Sequence, residues 1–223
     1  MNFKTIVQKV NLHAGLQGTV NSVEGQDYQE YLAEAVRSQY VNLQDERNNF
    51  KFLRETIEFT LTTDTEYTNE FLTSSLDHGI ARWKRGSVLR NGENQKEIPY
   101  DTYWENRDRY EGNTNSNIVT FKEYPPAALV VPSPEAGDVI RADYYRTPQV
   151  LEKNTDVPLI PEEFHYLLVW AALEDVAAYL GNQSIYERHS FKHDKLVNKF
   201  MRSQVPAQKI KKKPFYVKRN HQY

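Results

Sequence analysis

Between Ala127 and Leu180 the period of the apolar pattern changes, in the stretch AALVVPSPEAGDVIRADYYRTPQVLEKNTDVPLIPEEFHYLLVWAALEDVAAYL. Up to Tyr145 the residues alternate: Ile140, Ala142 and Tyr144 fall on one side, Arg141 and Asp143 on the other. That is the period of a half-buried strand. Past Thr147-Pro148 the alternation stops, and Phe164 to Leu173 is apolar nearly all round. A helix of that kind must be covered on several sides, in a bundle or between subunits. At ten residues the run is too short to cross a bilayer, which takes about 20. The chain therefore leaves a β unit and re-enters a helical one within this stretch.

The rest of the chain sorts around that switch. Phe3, Ile6, Val7 and Val10 predict a helix over 3–14. Asp27 with Glu30 reads as an N-cap, opening an amphipathic helix to about Asp45 with Tyr28, Tyr31, Leu32, Ala35, Val36, Tyr40 and Leu43 on one stripe. From Phe50 to Asp143 the period is two. Strands are expected around Ile57–Leu61, Ile80–Leu89, Ile118–Tyr124, Leu129–Val131 and Val139–Tyr145, with turns such as Asn91-Gly92-Glu93-Asn94 and Pro132-Ser133-Pro134. Pro161 suits a first helical position, with Glu162 and Glu163 complementing the helix dipole, and Gly181 suits the C′ position. Ser184 and Glu187 form a capping box for a last helix, whose face carries Tyr186, His189, His193, Leu196, Val197 and Phe200. The short link between these two helices implies an antiparallel hairpin.

The expected fold is α+β. Residues 1–50 and 149–203 form a helical domain, residues 51–148 an inserted small antiparallel β domain (sandwich or barrel), and residues 204–223 a basic C-terminal arm.

Charge separates the arm from the body. QVPAQKIKKKPFYVKRNHQY carries six cations and no acid, so a chain of net charge −2 has a body at −8. A net charge so near zero argues against a generic nucleic-acid binder. With no cysteine, disulfides, thiolate catalysis and cysteine-based zinc sites are excluded. MNFKTIVQKV has no apolar core of a secretory signal, so a soluble protein of a reducing compartment is expected. Fifteen tyrosines suit surfaces that become interfaces.

Chemistry-bearing clusters are few, and each has an ordinary structural reading. His189 and His193 stand at a spacing that could share a metal, but HExxH is absent and no third ligand stands out. Glu162, Glu163 and a partly exposed His165 could move protons; dipole complementation is simpler. Asp101, Glu105, Asp108 and Glu111 could bind a cation or cleave a glycoside. Arg107 and Arg109 are interleaved with them, and a solvated loop or interface rim is the better reading. No phosphate-binding glycine loop and no GxSxG occurs. No catalytic, metal or cofactor-binding residue is assigned. The arm is read as a docking segment for a partner protein, a solvated tail, or a phosphate contact. Phe215, Tyr216 and Val217 favour docking, because they offer apolar anchors. The partner-binding residues are then Lys209, Lys211, Lys212, Lys213, Phe215, Tyr216, Lys218 and Arg219.

An ordered set of short patterns resembles a known family. The patterns are a helix pair leading into Asn49-Phe50-Lys51-Phe52-Leu53, a threonine-rich strand from Thr56 to Thr63, and Leu129-Val130-Val131-Pro132 with Pro134. They continue with Ala142-Asp143-Tyr144-Tyr145-Arg146-Thr147-Pro148 and Leu159-Ile160-Pro161-Glu162-Glu163-Phe164-His165 before the alanine-containing helix. The chain is similar, from about Asn2 to Leu180, to the head-to-tail connector or adaptor proteins of tailed bacteriophages. Tyr67-Thr68-Asn69-Glu70 and Gly112 to Asn117 depart from the expected pattern by lacking proline.

The resemblance implies a helical domain with an inserted β domain. It implies a structural, non-enzymatic virion protein at the head-tail interface, made in the bacterial host cytoplasm. It also implies a ring, typically of twelve copies, between the portal protein and the tail or nozzle protein, with an arm reaching the portal and double-stranded DNA passing non-specifically through the lumen. No membrane is involved. Two other functions stay open: a receptor- or carbohydrate-binding β module using Trp83, Tyr100, Tyr103 and Trp104, and a hydrolase using the carboxylates of 101–111.

Overall fold

The Asn2 side chain accepts a hydrogen bond from the Thr5 N–H at 2.9 Å and so caps helix α1, Phe3–His13. Phe3, Ile6, Val7 and Val10 recur at helical spacing on its buried side. The computed structural model describes residues 1–23, 28–46, 50–68, 72, 78–111, 117–122 and 128–204. Asp27 and the side chain of Tyr28 lie outside the described residues. Helix α2, Tyr28–Glu46, buries Leu32, Ala35, Val36, Tyr40 and Leu43 as the stripe requires, with Tyr31 partly covered.

The element order after α2 is a 3-10 turn, Lys51–Leu53; strands β1 Arg54–Thr60, β2 Glu66–Thr68, β3 Ile80–Trp83, β4 Leu89–Arg90, β5 Glu93–Asn94 and β6 Lys96–Glu97; helices α3 Tyr100–Glu105 and α4 Arg107–Glu111; strands β7 Ile118–Lys122, β8 Ala128–Val130 and β9 Val139–Arg146; a 3-10 turn Glu162–Phe164; then helices α5 His165–Tyr179 and α6 Gln183–Gln204. The expected strand over 80–89 is thus two strands, parted by a turn through Gly86 at φ 67°. Asn91 and Gly92, at φ 50° and 84°, form the two-residue turn joining β4 to β5. Positive φ at both central residues is what a hairpin turn matching strand twist needs, hence Asn-Gly.

Two sheets form, one ordered β1-β9-β4-β5 with β3 also on β9, the other β2-β8-β7-β6. Strand β9 is the spine: β1 pairs along its whole edge from Arg54↔Tyr145 to Thr60↔Val139. Among the described residues neither sheet closes into a barrel. The strand pairs are antiparallel as expected except β6 and β7, which run parallel. A parallel pair needs a crossover connection; α3 and α4 supply it, and the expected solvated loop over 101–111 is helical. The sheets share one core: Ile57, Ile140, Ala142 and Tyr144 meet Tyr67, Val119, Phe121 and Leu129, and Trp83 stacks on Phe121 at 6.0 Å.

The helical elements share a separate core. Helix α5 packs against α1, α2 and α6. This explains why Phe164 to Leu173 is apolar all round: every residue of it is buried except Tyr166. Phe164, at the start of α5, meets Phe200, and Trp170, further along it, meets His189, so α5 and α6 are antiparallel. Pro161 sits before the 3-10 turn with ψ 140°, outside the helix rather than at its first position. At the other end Gly181, φ 62°, ends α5: Gly181 N–H donates to Ala178 O at 3.2 Å and Asn182 N–H to Ala177 O at 2.9 Å. Asn182, not Ser184, then opens α6, its Oδ1 taking the Ser184 hydroxyl at 2.8 Å and the Ile185 N–H at 3.4 Å. Tyr186, placed on the buried face by spacing, is exposed.

The return segment between β9 and α5 is tied to α2. Gln149 N–H donates to Gln44 Oε1 at 2.8 Å, and Gln44 Nε2 donates to Gln149 O at 2.9 Å. Tyr40 OH donates to Gln149 Oε1 at 2.7 Å and accepts from Leu159 N–H at 2.9 Å. Burial raises the Tyr40 pKa well above that of free tyrosine, so the phenol stays a donor.

Candidate partner-binding surface

The arm residues Lys209, Lys211, Lys212, Lys213, Phe215, Tyr216, Lys218 and Arg219 lie outside the described residues. What is described is their root. Phe200 is buried with its ring 5.2 Å from Phe50, 5.9 Å from Phe52 and 5.2 Å from Phe164. Lys51 Nζ donates to Ser203 O at 3.0 Å, placing a cation at the negative end of the α6 dipole. Gln204 is buried as well. The last turn of α6 is therefore clamped between the 50–53 turn and the start of α5.

Further up the same hairpin, the imidazole of His189 lies flat on Trp170, 5.0 Å between centroids and 8° between planes. His13 packs tilted against both, 4.9 Å from Trp170 and 5.7 Å from His189. Burial lowers the His189 pKa, reinforced by Lys192, His13 and Arg188, so this ring is held neutral. His193 turns elsewhere, its Nδ1 2.9 Å from Glu174 Oε1. The two histidines do not converge, and no group of three or more metal-type side chains occurs among the described residues.

The helical hairpin thus ends at Gln204, held by the 50–53 turn, and the basic segment follows it in sequence. A family model described as SU10 adaptor protein matches residues 1–210. The chain belongs to that family. It is accordingly a bacteriophage head-to-tail adaptor and a virion component. No curated protein matches the chain. No helix among the described residues is long and apolar enough to cross a membrane.

The adaptor uses its other clusters structurally. His165, expected to be partly exposed, is 2% exposed. The Met1 ammonium lies 2.6 Å from its Nδ1, and its Nε2–H donates to Ile160 O at 3.0 Å. Burial is the main reason its pKa is lowered. Glu162 also takes the Met1 ammonium, at 3.3 Å, whereas Glu163 turns away to Lys199 at 3.5 Å. In 101–111, Tyr103 OH and Arg107 Nε both donate to Glu111 at 2.7 Å. The Tyr103 bond, with Arg107, lowers the Glu111 pKa against the opposing effect of burial; a glycosidase acid needs the opposite shift. Of the four candidate sugar-stacking aromatics, Trp83 is 4% and Tyr103 2% exposed, so they form no common platform.

Two arrangements escaped the sequence reading. One is an ion cluster on the outer face of β9. There Asp143 accepts from Thr56 Oγ1 at 2.7 Å and Lys84 Nζ at 2.9 Å, and is bridged by Arg54. Burial opposes ionisation of Asp143, yet these partners bring its pKa down to about 2. Alternation had placed Arg141 and Asp143 outward without naming partners, which come from residues 54, 56 and 84. The other is a cationic stripe along α6, overlooked because the arm has the denser charge. Its signal was the three-and-four spacing of Arg188, Lys192, Lys195, Lys199 and Arg202.

Proposed function

We propose that this adaptor forms a closed ring of about twelve copies that joins the portal to the tail or nozzle protein and lets double-stranded DNA pass, without catalysis. Residues 1–50 and 149–203 act as the ring-building helical domain, 51–148 as the inserted β domain, and 204–223 as the arm that docks on the portal. The protein is made in the bacterial host cytoplasm and then incorporated. Family membership over residues 1–210 is the observation that carries this reading. The clamped end of α6 supports the role of the arm: a rigid root gives a docking segment a fixed point of departure, which lowers the entropic cost of binding. An acidic body supports passage, since it does not grip a polyanion.

Truncation after Gln204 tests the arm. Gln204 is the last described residue and is buried, so the cut leaves the bundle intact. Portal binding is expected to be lost with the melting temperature unchanged. Undiminished binding by the truncated chain refutes docking through Lys209 to Arg219.

A further inference from the structure

Along α6, Arg188, Phe191, Lys192, Lys195, Lys199 and Arg202 recur at steps of three and four and so share one face. All six are exposed, Phe191 at 74%. The stripe is about 21 Å long at 1.5 Å per residue. Its last four cations line a groove of about 730 Å³ floored by Trp170 and Leu196. Lys192 lies 5.0 Å over the Trp170 ring, and Lys199 is engaged by Glu163. Among the described residues Arg188, Lys195 and Arg202 have no ion-pair partner.

A row of cations alone suits phosphates and carboxylates equally. The apolar groups discriminate: a sugar-phosphate backbone gives Phe191 and the Trp170 floor nothing to bury against, whereas a protein segment does. The chain itself presents the complement. Asp101, Trp104 and Glu105 fall at i, i+3 and i+4 on α3, all exposed, Trp104 at 58%, and the exposed Asp108 follows on α4 past the break at Asn106. Tyr100 stacks on Trp104 at 6.2 Å, and Arg107 pairs with Glu111 while its guanidinium lies 5.5 Å over the Trp104 ring. Carboxylates at helical spacing around an exposed indole match cations at helical spacing around an exposed phenyl and an apolar floor.

We infer that the basic α6 groove of one copy receives the acidic, Trp104-bearing ridge of a neighbouring copy. The two patches differ, so the contact is head-to-tail, the type that closes into a ring when the rotation fits. The inference rests on the ring reading and supplies its interface.

The chain has no cysteine, which makes disulfide trapping clean. Full-length Lys195→Cys and Glu105→Cys chains are mixed with portal particles under conditions where rings are imaged, then oxidised. The expected result is a cross-linked pair between the two variants, and a ladder of multimers from one chain carrying both changes. Adding Lys192→Glu and Lys199→Glu to the first chain should lower the yield at least about tenfold, and Asp101→Lys with Asp108→Lys in the second should restore it. Rings without the cross-link overturn this interface and leave the ring standing. No rings under any condition overturns both. A cross-link abolished by added double-stranded DNA, with the groove cysteine shielded from alkylation, overturns it in favour of a nucleic-acid surface.

Discussion

The ring of Phe200 meets that of Phe164 edge-on, with 5.2 Å between centroids and 71° between planes. Phe164 stands where the chain re-enters the helical bundle, and Phe200 where it leaves toward the basic arm. One aromatic contact therefore fixes both the start of the buried helix and the root of the arm. Edge-to-face geometry suits the quadrupoles of the two rings. Phe200→Ala is expected to cost about 3–5 kcal/mol, read as a shift in the urea midpoint at unchanged slope. A loss below about 1 kcal/mol would mean that the clamp is slack.

Acidification should destabilise the fold before any carboxylate is protonated. Burial lowers the pKa of His13, His165 and His189 below the ordinary 6.5. The unfolded chain then binds more protons than the folded one, so stability falls as pH drops below about 6.5. Melting temperature should decrease from pH 7.5 to 5.5. In His189→Phe, which keeps an aromatic ring on Trp170, the decrease should be smaller. A melting temperature that holds or rises on acidification contradicts the buried neutral histidines.

Asp143 works in a lower pH window. Its folded pKa of about 2 lies below the unfolded 3.8. Its contribution is therefore complete above about pH 4 and lost as pH falls through 2. Asp143→Asn should cost about 1–2 kcal/mol at pH 7, and wild type and variant should converge near pH 2. A constant gap across that range would assign the loss to something other than charge.

Gly92→Ala isolates backbone strain, because a Cβ there meets nothing within 4 Å while φ is +84°. The expected loss is about 1–2 kcal/mol. Hydrogen exchange should show it as faster opening of the β4–β5 hairpin.

The helices were legible because burial and local period coincide in them. Phe3 to Val10 and Leu32 to Leu43 each repeat at helical spacing on one buried side. In β9 the alternation of Ile140, Ala142 and Tyr144 gave its buried face directly. What failed depended on partners distant in sequence. His165 is buried by the packing of the N-terminus, which no local pattern encodes. The 101–111 segment looked like a charged loop because its anchor, Tyr103, packs on Ile98 and Val130 from other elements. Ser184 lost the capping role because the turn that ends α5 delivers Asn182 two residues earlier.

Electron microscopy of the full-length chain with and without portal particles tests the central claim most directly. The account predicts rings seated on the portal, with a central opening wide enough for a DNA duplex. A chain that stays monomeric and never associates with portal particles, at any ratio, would contradict it.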